Sequence, residues 1–150
     1  MITFQSERWG GILPELRPLL QGQWEELGLY RDRVPLDMDW EKYERFDALE
    51  ILKVTTARDA GRLVGWYVSI VTPHPHYRTT LYGFLDFYYM LAPYRTGTLG
   101  LQLFMAMEQS MKLLGVQALI AISKTVRPID LLFERLDWTE QGRTYMKVLA

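Results

Sequence analysis

The sequence predicts an α/β fold of the α+β type, with a mixed central sheet, a β-α-β unit in its second half and a helical N-terminal part. Three observations predict it. Residues 81–91 form an apolar and aromatic strand pattern, residues 99–114 carry apolar side chains at helical spacing, and residues 116–123 form a second apolar run. A strand, a helix and a strand in this order favour two parallel strands joined by a right-handed crossover. A chain of 150 residues is suited to one domain, residues 1–150.

The N-terminal part is predicted to begin with a short strand at residues 2–5 and to continue as helix. Residues 11–29 carry apolar side chains at helical spacing, but Pro14, Pro18 and Gly22 interrupt them. A proline inside a helix removes a backbone hydrogen bond and clashes with the preceding turn. The pattern therefore predicts two short helices with a joint near Gly22.

A helix and a hairpin follow. Asp39 is a suitable N-cap for a helix that continues to about Leu49. Residues 51–57 and 63–72 are rich in β-branched and aromatic side chains, which favours strands, and residues 58–62 have the composition of a hairpin turn.

The remaining boundaries come from proline and glycine. Pro73 and Pro75 are expected to end the second strand of the hairpin, and Gly115 is expected to end the helix of residues 99–114. Residues 128–136 begin with proline, which suits the first turn of a short helix. Residues 138–149 are predicted to close the chain as a strand pair or one bent strand.

Composition excludes several classes of function. A formal net charge of −1 leaves no electrostatic footprint for nucleic acid or an anionic membrane. The absence of cysteine excludes disulfides, thiolate metal sites and a cysteine nucleophile. No apolar stretch approaches the ~20 residues that span a bilayer. We expect a cytoplasmic protein without a membrane or nucleic-acid partner.

The turn between the strand of residues 81–91 and the next helix suggests an anion site. It contains Gly97 and Gly100 and opens directly into the helix. Such a turn presents free backbone N–H groups and the positive end of the helix dipole, which suits a phosphate or pyrophosphate.

Residues 91–100 (LAPYRTGTLG) resemble the cofactor motif of the GNAT superfamily, the acetyl-CoA-dependent N-acetyltransferases. That motif is Arg or Gln, two free positions, Gly, one free position, then Gly or Ala, after a strand ending in Val/Leu-x-Pro. Arg95 and Gly100 are in register with it. Residues 112–116 (KLLGV) and 132–138 (LFERLDW) are also similar to the family's downstream segments.

The resemblance implies acetyl-CoA as co-substrate, no metal, and transfer of the acetyl group to a primary amine by direct attack in a ternary complex. Pantetheine would lie between the strands of residues 85–91 and 118–123. The residues that would bind the cofactor are Tyr89, Leu91, Arg95, Thr96, Gly97, Thr98, Leu99 and Gly100.

Two departures from the family pattern support an alternative function. Thr98 stands where the motif has its first glycine, so its side chain would either crowd the pyrophosphate or donate to it. Phe133 stands where many members carry a tyrosine that protonates the leaving thiolate. The alternative is a GNAT-fold protein without catalysis that serves as a binding or phage structural module. A homodimer formed through exposed terminal strands is compatible with either function.

The leading candidate for the catalytic base is Asp86, the one acid in an apolar and aromatic strand. A base must remove a proton from the amine before it attacks, and desolvation would raise the pKa of this carboxyl. A solvated aspartate, or one paired with an arginine, is the alternative. His76 is a second candidate for acid–base catalysis. Tyr145, Tyr88 and Tyr89 are possible substitutes for the tyrosine missing at position 133.

Residues 71–81 (VTPHPHYRTTL) narrow the resemblance to a GNAT subgroup common in bacteriophage genomes, which would place the protein in the host cytoplasm. The subgroup shares a Pro-His-x-His-Tyr segment. We expect His74, Tyr77 and Thr80 to contact the acceptor, whereas a rigid hairpin with surface imidazoles is the alternative. A metal pair of the two histidines lacks further ligands. By family architecture, Trp24, Tyr30 and Trp40 would complete the acceptor wall.

Overall fold

In the computed structural model, which describes residues 1–150, five strands form one mixed sheet. In chain order they are β1 (Ile2–Glu7), β2 (Leu52–Asp59), β3 (Arg62–His74), β4 (Tyr77–Met90) and β5 (Ala118–Ile120). The strands lie side by side in that same order, β1 to β4 antiparallel and β4 to β5 parallel. The parallel pairing across the main helix confirms the predicted β-α-β unit.

Four helices cover the sheet: α1 (Trp9–Leu27), α2 (Trp40–Ala48), α3 (Leu99–Leu113) and α4 (Asp130–Arg135). Successive side chains of β3 point to opposite faces, so Trp66 and Val68 pack with α1, whereas Tyr67 packs with Phe104 of α3. Helices α1 and α2 therefore lie on one face of the sheet, and α3 and α4 on the other.

Helix α1 corrects the prediction of two short helices. It runs unbroken through Pro14 and Pro18, and both prolines lie on its exposed face. The carbonyl groups that the prolines leave without a partner are accessible to water there, which lowers the cost of the missing bonds. The opposite face buries Ile12, Leu16 and Leu20. This burial stabilises one continuous helix more than the prolines destabilise it.

The predicted cap and terminator of the next two helices are confirmed. Asp39 precedes α2, and its carboxylate accepts a hydrogen bond from the backbone N–H of Lys42 at 2.9 Å. Gly115 follows α3 with φ of +79°, a conformation that glycine adopts without strain.

The β3–β4 hairpin is longer than predicted. Pro73 does not end β3 as expected, because it still pairs with Leu81. The strand continues to His74 and ends directly before Pro75. The register shifts directly after Pro73, and proline is tolerated at such an irregularity because no ladder hydrogen bond is required of it there.

The C-terminal strands predicted for residues 138–149 are absent. The structure gives this segment no regular secondary structure, and all of its side chains except Trp138 and Val148 are exposed. Trp138 alone packs firmly, against Phe133 at 4.9 Å between ring centroids. The rest of the segment buries no face against the protein, so side-chain packing does not stabilise it as a paired strand.

None of the helices combines the length and the apolar character that crossing a bilayer requires.

Candidate active site

The two parallel strands separate and leave a cleft in the sheet. β5 pairs with β4 only at Tyr82, Gly83 and Phe84, and nothing pairs with Leu85–Met90 on that edge. A cleft of about 430 Å³ opens there, bounded by β4, the turn before α3, the C-terminal end of α1 and residues 122–135.

A β-bulge explains why β4 leaves its neighbour at this point. Phe87 pairs with Val68 of β3 and Leu85 pairs with Ser69, so Asp86 is an extra residue in β4. A bulge bends its strand and increases the local twist. β4 therefore turns away from β5 at the position of Asp86, and the side chain of Asp86 lines the cleft.

The turn before α3 presents free backbone donors at one end of the cleft. Five N–H groups find no acceptor in the chain, those of Thr96, Gly97, Thr98, Gly100 and Leu101. Gly97 has φ of +56°, which lets the backbone reverse direction there. The donors that an anion site requires are therefore present at the start of the helix.

Gly100 brings a tyrosine close to this turn. A Cβ atom at position 100 would lie 3.3 Å from the hydroxyl of Tyr88 and 3.7 Å from Leu132. The hydroxyl of Thr98 is already engaged, because it accepts a hydrogen bond from the side-chain amide of Gln102 at 2.8 Å.

Asp86 has one bound oxygen and one free oxygen. Its Oδ2 accepts a hydrogen bond from the Tyr43 hydroxyl at 2.5 Å, and its Oδ1 has no partner. Asp86 as a whole is exposed, as the solvated alternative expects, but neighbouring groups partly desolvate its carboxyl. This desolvation raises the pKa of the carboxyl, while the Tyr43 hydrogen bond and the charge of Lys42 oppose that rise. No arginine or lysine forms an ion pair with it.

The architecture matches solved acetyltransferases over the whole chain. A ribosomal-protein-alanine N-acetyltransferase from Brucella melitensis biovar Abortus superposes with a TM-score of 0.77 at 17% identity, covering 100% of this chain and 99% of that one. A predicted acetyltransferase from Clostridium acetobutylicum, solved with acetyl-CoA, gives 0.71 at 11% identity, covering 99% and 96%. The chain has the GNAT fold.

A third solved structure contains a bisubstrate analogue. The aminoglycoside N-acetyltransferase AAC(6')-Iy, in complex with a bisubstrate analogue, CoA-S-monomethyl-acetylneamine, superposes with a TM-score of 0.70 at 15% identity over 100% of this chain and 99% of that one. The sequence matches no protein-family model and no curated protein. The predicted fold is thus confirmed, and a fold alone does not establish an activity.

Within this GNAT fold, Arg95 has its guanidinium engaged by Glu26, a residue that the sequence did not single out. The two side chains form a bidentate pair at 2.6 and 2.7 Å, and Arg95 also donates to the carbonyl of Met90 at 2.8 Å. Glu26 further accepts from Tyr89 and lies 2.5 Å from Arg127. Hydrogen bonding to Arg95 lowers the pKa of Glu26 to about 2.

Glu26 therefore ties three walls of the cleft to the end of α1. Arg95 belongs to the anion-binding turn, Tyr89 to β4 and Arg127 to the loop before α4. The contacts join residues 63 to 101 positions apart in the chain, so no local pattern could reveal them. A lone glutamate in the last turn of a helix has no distinguishing signal of its own.

The four tyrosine and phenylalanine positions considered for the thiolate acid have different surroundings. The structure does not bring Tyr145 to the cleft, because it lies on the irregular C-terminal segment with 87% of its side chain exposed. Phe133 packs between Phe104 and Trp138, so the position that often carries the family tyrosine is filled by a half-buried ring that packs against the core. Tyr89 donates to Glu26. Tyr88 lines the cleft, and its hydroxyl has no hydrogen-bond partner.

The histidine segment forms the tip of the β3–β4 hairpin, outside the cleft. His74, His76, Tyr77 and Thr80 do not line it. The ring of His74 lies 4.9 Å from that of His76 and 6.1 Å from that of Phe84, on the sheet face that also carries Asp86. No three histidine or acidic side chains are grouped to hold a metal ion.

Leu91 and Leu99 border the turn at the start and end without lining the cleft, whereas Thr96, Gly97 and Gly100 line it directly. In the predicted acceptor wall, Trp24 and Tyr30 line a separate surface depression. Trp40 instead packs beside Trp9 at 6.4 Å, beneath the guanidinium of Arg17.

Proposed function

We propose that the protein transfers an acetyl group from acetyl-CoA to a primary amine by direct attack in a ternary complex. One observation carries the proposal: the cleft beside β4 has five free backbone N–H groups in the turn at one end, and Asp86 of β4 lines the same cleft. The first feature suits a pyrophosphate and the second suits an amine that must lose a proton.

The resemblance of residues 91–100 to the GNAT cofactor motif supports acetyl-CoA as the donor. The turn that this motif predicts is the turn that carries the free N–H groups. The solved acetyltransferases of the same fold, one of which contains acetyl-CoA, support the same co-substrate. The edge of β4 from Leu85 to Met90 is left without a partner strand and faces the cleft. Gln23 donates to the carbonyl of Tyr88 and Arg95 to that of Met90, so the remaining polar groups of this edge are available to a ligand amide.

Asp86 is proposed as the base. An ammonium group gives one proton to its carboxylate, directly or through water, and the neutral nitrogen then attacks the thioester carbonyl carbon. As the C–N bond forms, the nitrogen releases its second proton to water, the C–S bond breaks and the thiolate takes up a proton. Desolvation raises the pKa of Asp86 and so makes it a stronger base than an ordinary aspartate.

Tyr88 is proposed as the donor of the proton to the thiolate. It is the one tyrosine of the cleft with a free hydroxyl, and desolvation raises its pKa, so it stays protonated near neutral pH. This role replaces that of the tyrosine missing at position 133.

The acceptor would approach over the sheet face that joins Asp86 to the hairpin tip. Phe84 lies two residues before Asp86, and its ring stacks on that of Tyr82 with centroids 5.6 Å apart. The ring of Tyr82 in turn stacks on that of Tyr77, with centroids 6.0 Å apart. His74, His76 and Thr80 belong to the same hairpin and remain proposed acceptor contacts. The phage subgroup, a host-cytoplasmic location and a homodimer also stay predictions.

The alternative is a GNAT-fold binding protein without catalysis. Phe133 favours it, because its ring packs against Phe104 and has no hydroxyl that could protonate the thiolate. The substitution Asp86→Asn separates the two functions. It should abolish thiol release from acetyl-CoA in the presence of a panel of primary amines, while acetyl-CoA affinity measured by calorimetry stays unchanged.

Full turnover by the Asp86→Asn protein with an accepted amine would refute Asp86 as base. If the wild-type protein binds acetyl-CoA but releases no thiol with any amine of the panel, that result would support the binding protein without catalysis.

A further inference from the structure

Building on the proposed function, we propose that Tyr43 of α2 is a positioning residue for Asp86. Its hydroxyl holds one oxygen of the carboxylate and leaves the other oxygen free to accept the proton of the amine. No local pattern in the sequence points to Tyr43, which lies 43 positions before Asp86.

The hydrogen bond fixes a carboxylate that would otherwise have little support. Asp86 is the extra residue of the β-bulge, so the ladder to β3 does not hold it in register. The Tyr43 hydroxyl donates to Oδ2 at 2.5 Å, and this is the only hydrogen bond of the carboxylate. A charge-assisted O–H···O⁻ bond of this length is among the stronger ones in proteins.

Tyr43 is itself held rigidly. Its ring stacks on Trp9 with centroids 4.8 Å apart and an angle of 19° between the planes, and Trp9 is only 1% exposed. The ring of Phe87 meets it edge-on at 6.2 Å and 85°. Aromatic contacts of these two geometries are favourable, so the phenol is a donor with a fixed position.

Asp86 is surrounded by few other groups that titrate. From α2, only Tyr43 and Lys42 act on it. The residues across the bulge in β3 are Val68 and Ser69, and its neighbours along β4 are Leu85 and Phe87, none of which is charged. From α1, the uncharged indole of Trp9 packs against both Tyr43 and Phe87.

Tyr43 remains a donor throughout the working range. Burial, with a smaller contribution from Asp86, raises the pKa of its phenol far above the ordinary value of 10.0. The hydroxyl therefore stabilises the ionised form of Asp86 and counteracts the desolvation that raises the pKa of the carboxyl. Without that hydroxyl, the pKa of Asp86 would be raised further, and the carboxylate that accepts the proton would form only at a higher pH.

The substitution Tyr43→Phe tests the proposal because it removes the hydroxyl and keeps every ring contact. The readout is the titration of Asp86, followed by NMR through its side-chain carboxyl carbon in the full chain. We expect the apparent pKa of Asp86 to rise by about one unit or more, as expected for the loss of a hydrogen bond to a charged group.

A matched control is Tyr94→Phe. Tyr94 also donates its hydroxyl to an aspartate, Asp59, at 2.7 Å, but neither residue lines the cleft. This variant should leave the titration of Asp86 unchanged. In the wild-type protein, the ring carbon that bears the Tyr43 hydroxyl should change its chemical shift with the same midpoint as Asp86, which tests the contact without any substitution.

An accepted amine adds a kinetic readout. The acidic limb of the kcat/KM profile should move to higher pH in Tyr43→Phe by the same amount as the Asp86 titration, with activity restored at alkaline pH. An unchanged Asp86 titration in Tyr43→Phe, or an equal shift in Tyr94→Phe, would overturn the proposal. A wild-type protein without transferase activity would refute the proposed function instead, and the NMR titrations would still decide the role of Tyr43.

Discussion

The substitution Glu26→Gln tests the carboxylate that joins three walls of the cleft. It keeps the shape of the side chain and removes the charge that faces Arg95 and Arg127. The Arg95 pair is bidentate, and the two side chains are only 24% and 22% exposed. Hydrogen bonds to charged groups of this kind contribute about 1.5–3 kcal/mol. Arg127 is 55% exposed, so its pair with Glu26 adds less than about 1 kcal/mol.

The amide of glutamine retains one acceptor oxygen, so part of this interaction survives. We therefore expect the free energy of unfolding to fall by about 2 kcal/mol, which for a chain of this size lowers Tm by roughly 4–8 °C. The measurement is thermal unfolding at neutral pH, followed by circular dichroism. Glu25→Gln is the matched control, because the neighbouring Glu25 is exposed and its side chain accepts only from Gln21.

The difference should depend on pH with a definite sign. The pKa of Glu26 is lowered in the folded protein from 4.5 to about 2, so its ionised form stabilises the fold above pH 4.5. The advantage of the wild-type protein over Glu26→Gln should shrink as the pH falls from 4.5 and disappear near pH 2. Equal Tm values for the Glu26→Gln and Glu25→Gln proteins at neutral pH would refute the role assigned to Glu26.

Three further predictions concern the cleft. Tyr88→Phe should lower kcat by at least tenfold with little change in acetyl-CoA affinity, since its hydroxyl is assigned to the thiolate; an unchanged kcat would refute that assignment. Thr98→Gly should preserve or tighten acetyl-CoA binding in calorimetry, because its hydroxyl already bonds to Gln102; a large loss would show that the hydroxyl binds the ligand. Gly100→Leu should weaken acetyl-CoA binding at least tenfold, because a side chain there meets the Tyr88 hydroxyl at the turn, and unchanged affinity would place the ligand elsewhere.

Local patterns were enough to predict the part of the fold that forms the cleft. The strand, turn and helix around Gly97 and Gly100 are specified by residues close in sequence, and the parallel pairing of β4 and β5 follows from the order strand, helix, strand. Asp86 was identified because it is the one acid in an apolar strand. The bulge that turns its strand away from β5 is a feature of pairing with β3, which the sequence of β4 alone does not contain.

The misassigned elements depended on contacts that are distant in sequence. Pro14 and Pro18 suggested a break in α1, but the break is absent because the opposite face of the helix is buried against the sheet. The segment around Tyr145 has a strand-like pattern and no partner strand, so its predicted strands do not form. The contacts of Tyr43 and Glu26 likewise join residues 43 to 101 positions apart, and only the assembled fold reveals them.

The most direct test of the central claim is calorimetric titration of the purified protein with acetyl-CoA, with free CoA and the Gly100→Leu protein as comparisons. If the cleft and its turn bind the cofactor, acetyl-CoA and CoA should both bind the wild-type protein at micromolar concentration, and Gly100→Leu should weaken both. Absence of binding to the wild-type protein at millimolar acetyl-CoA would contradict the assignment of the cleft and with it the proposed acetyl transfer.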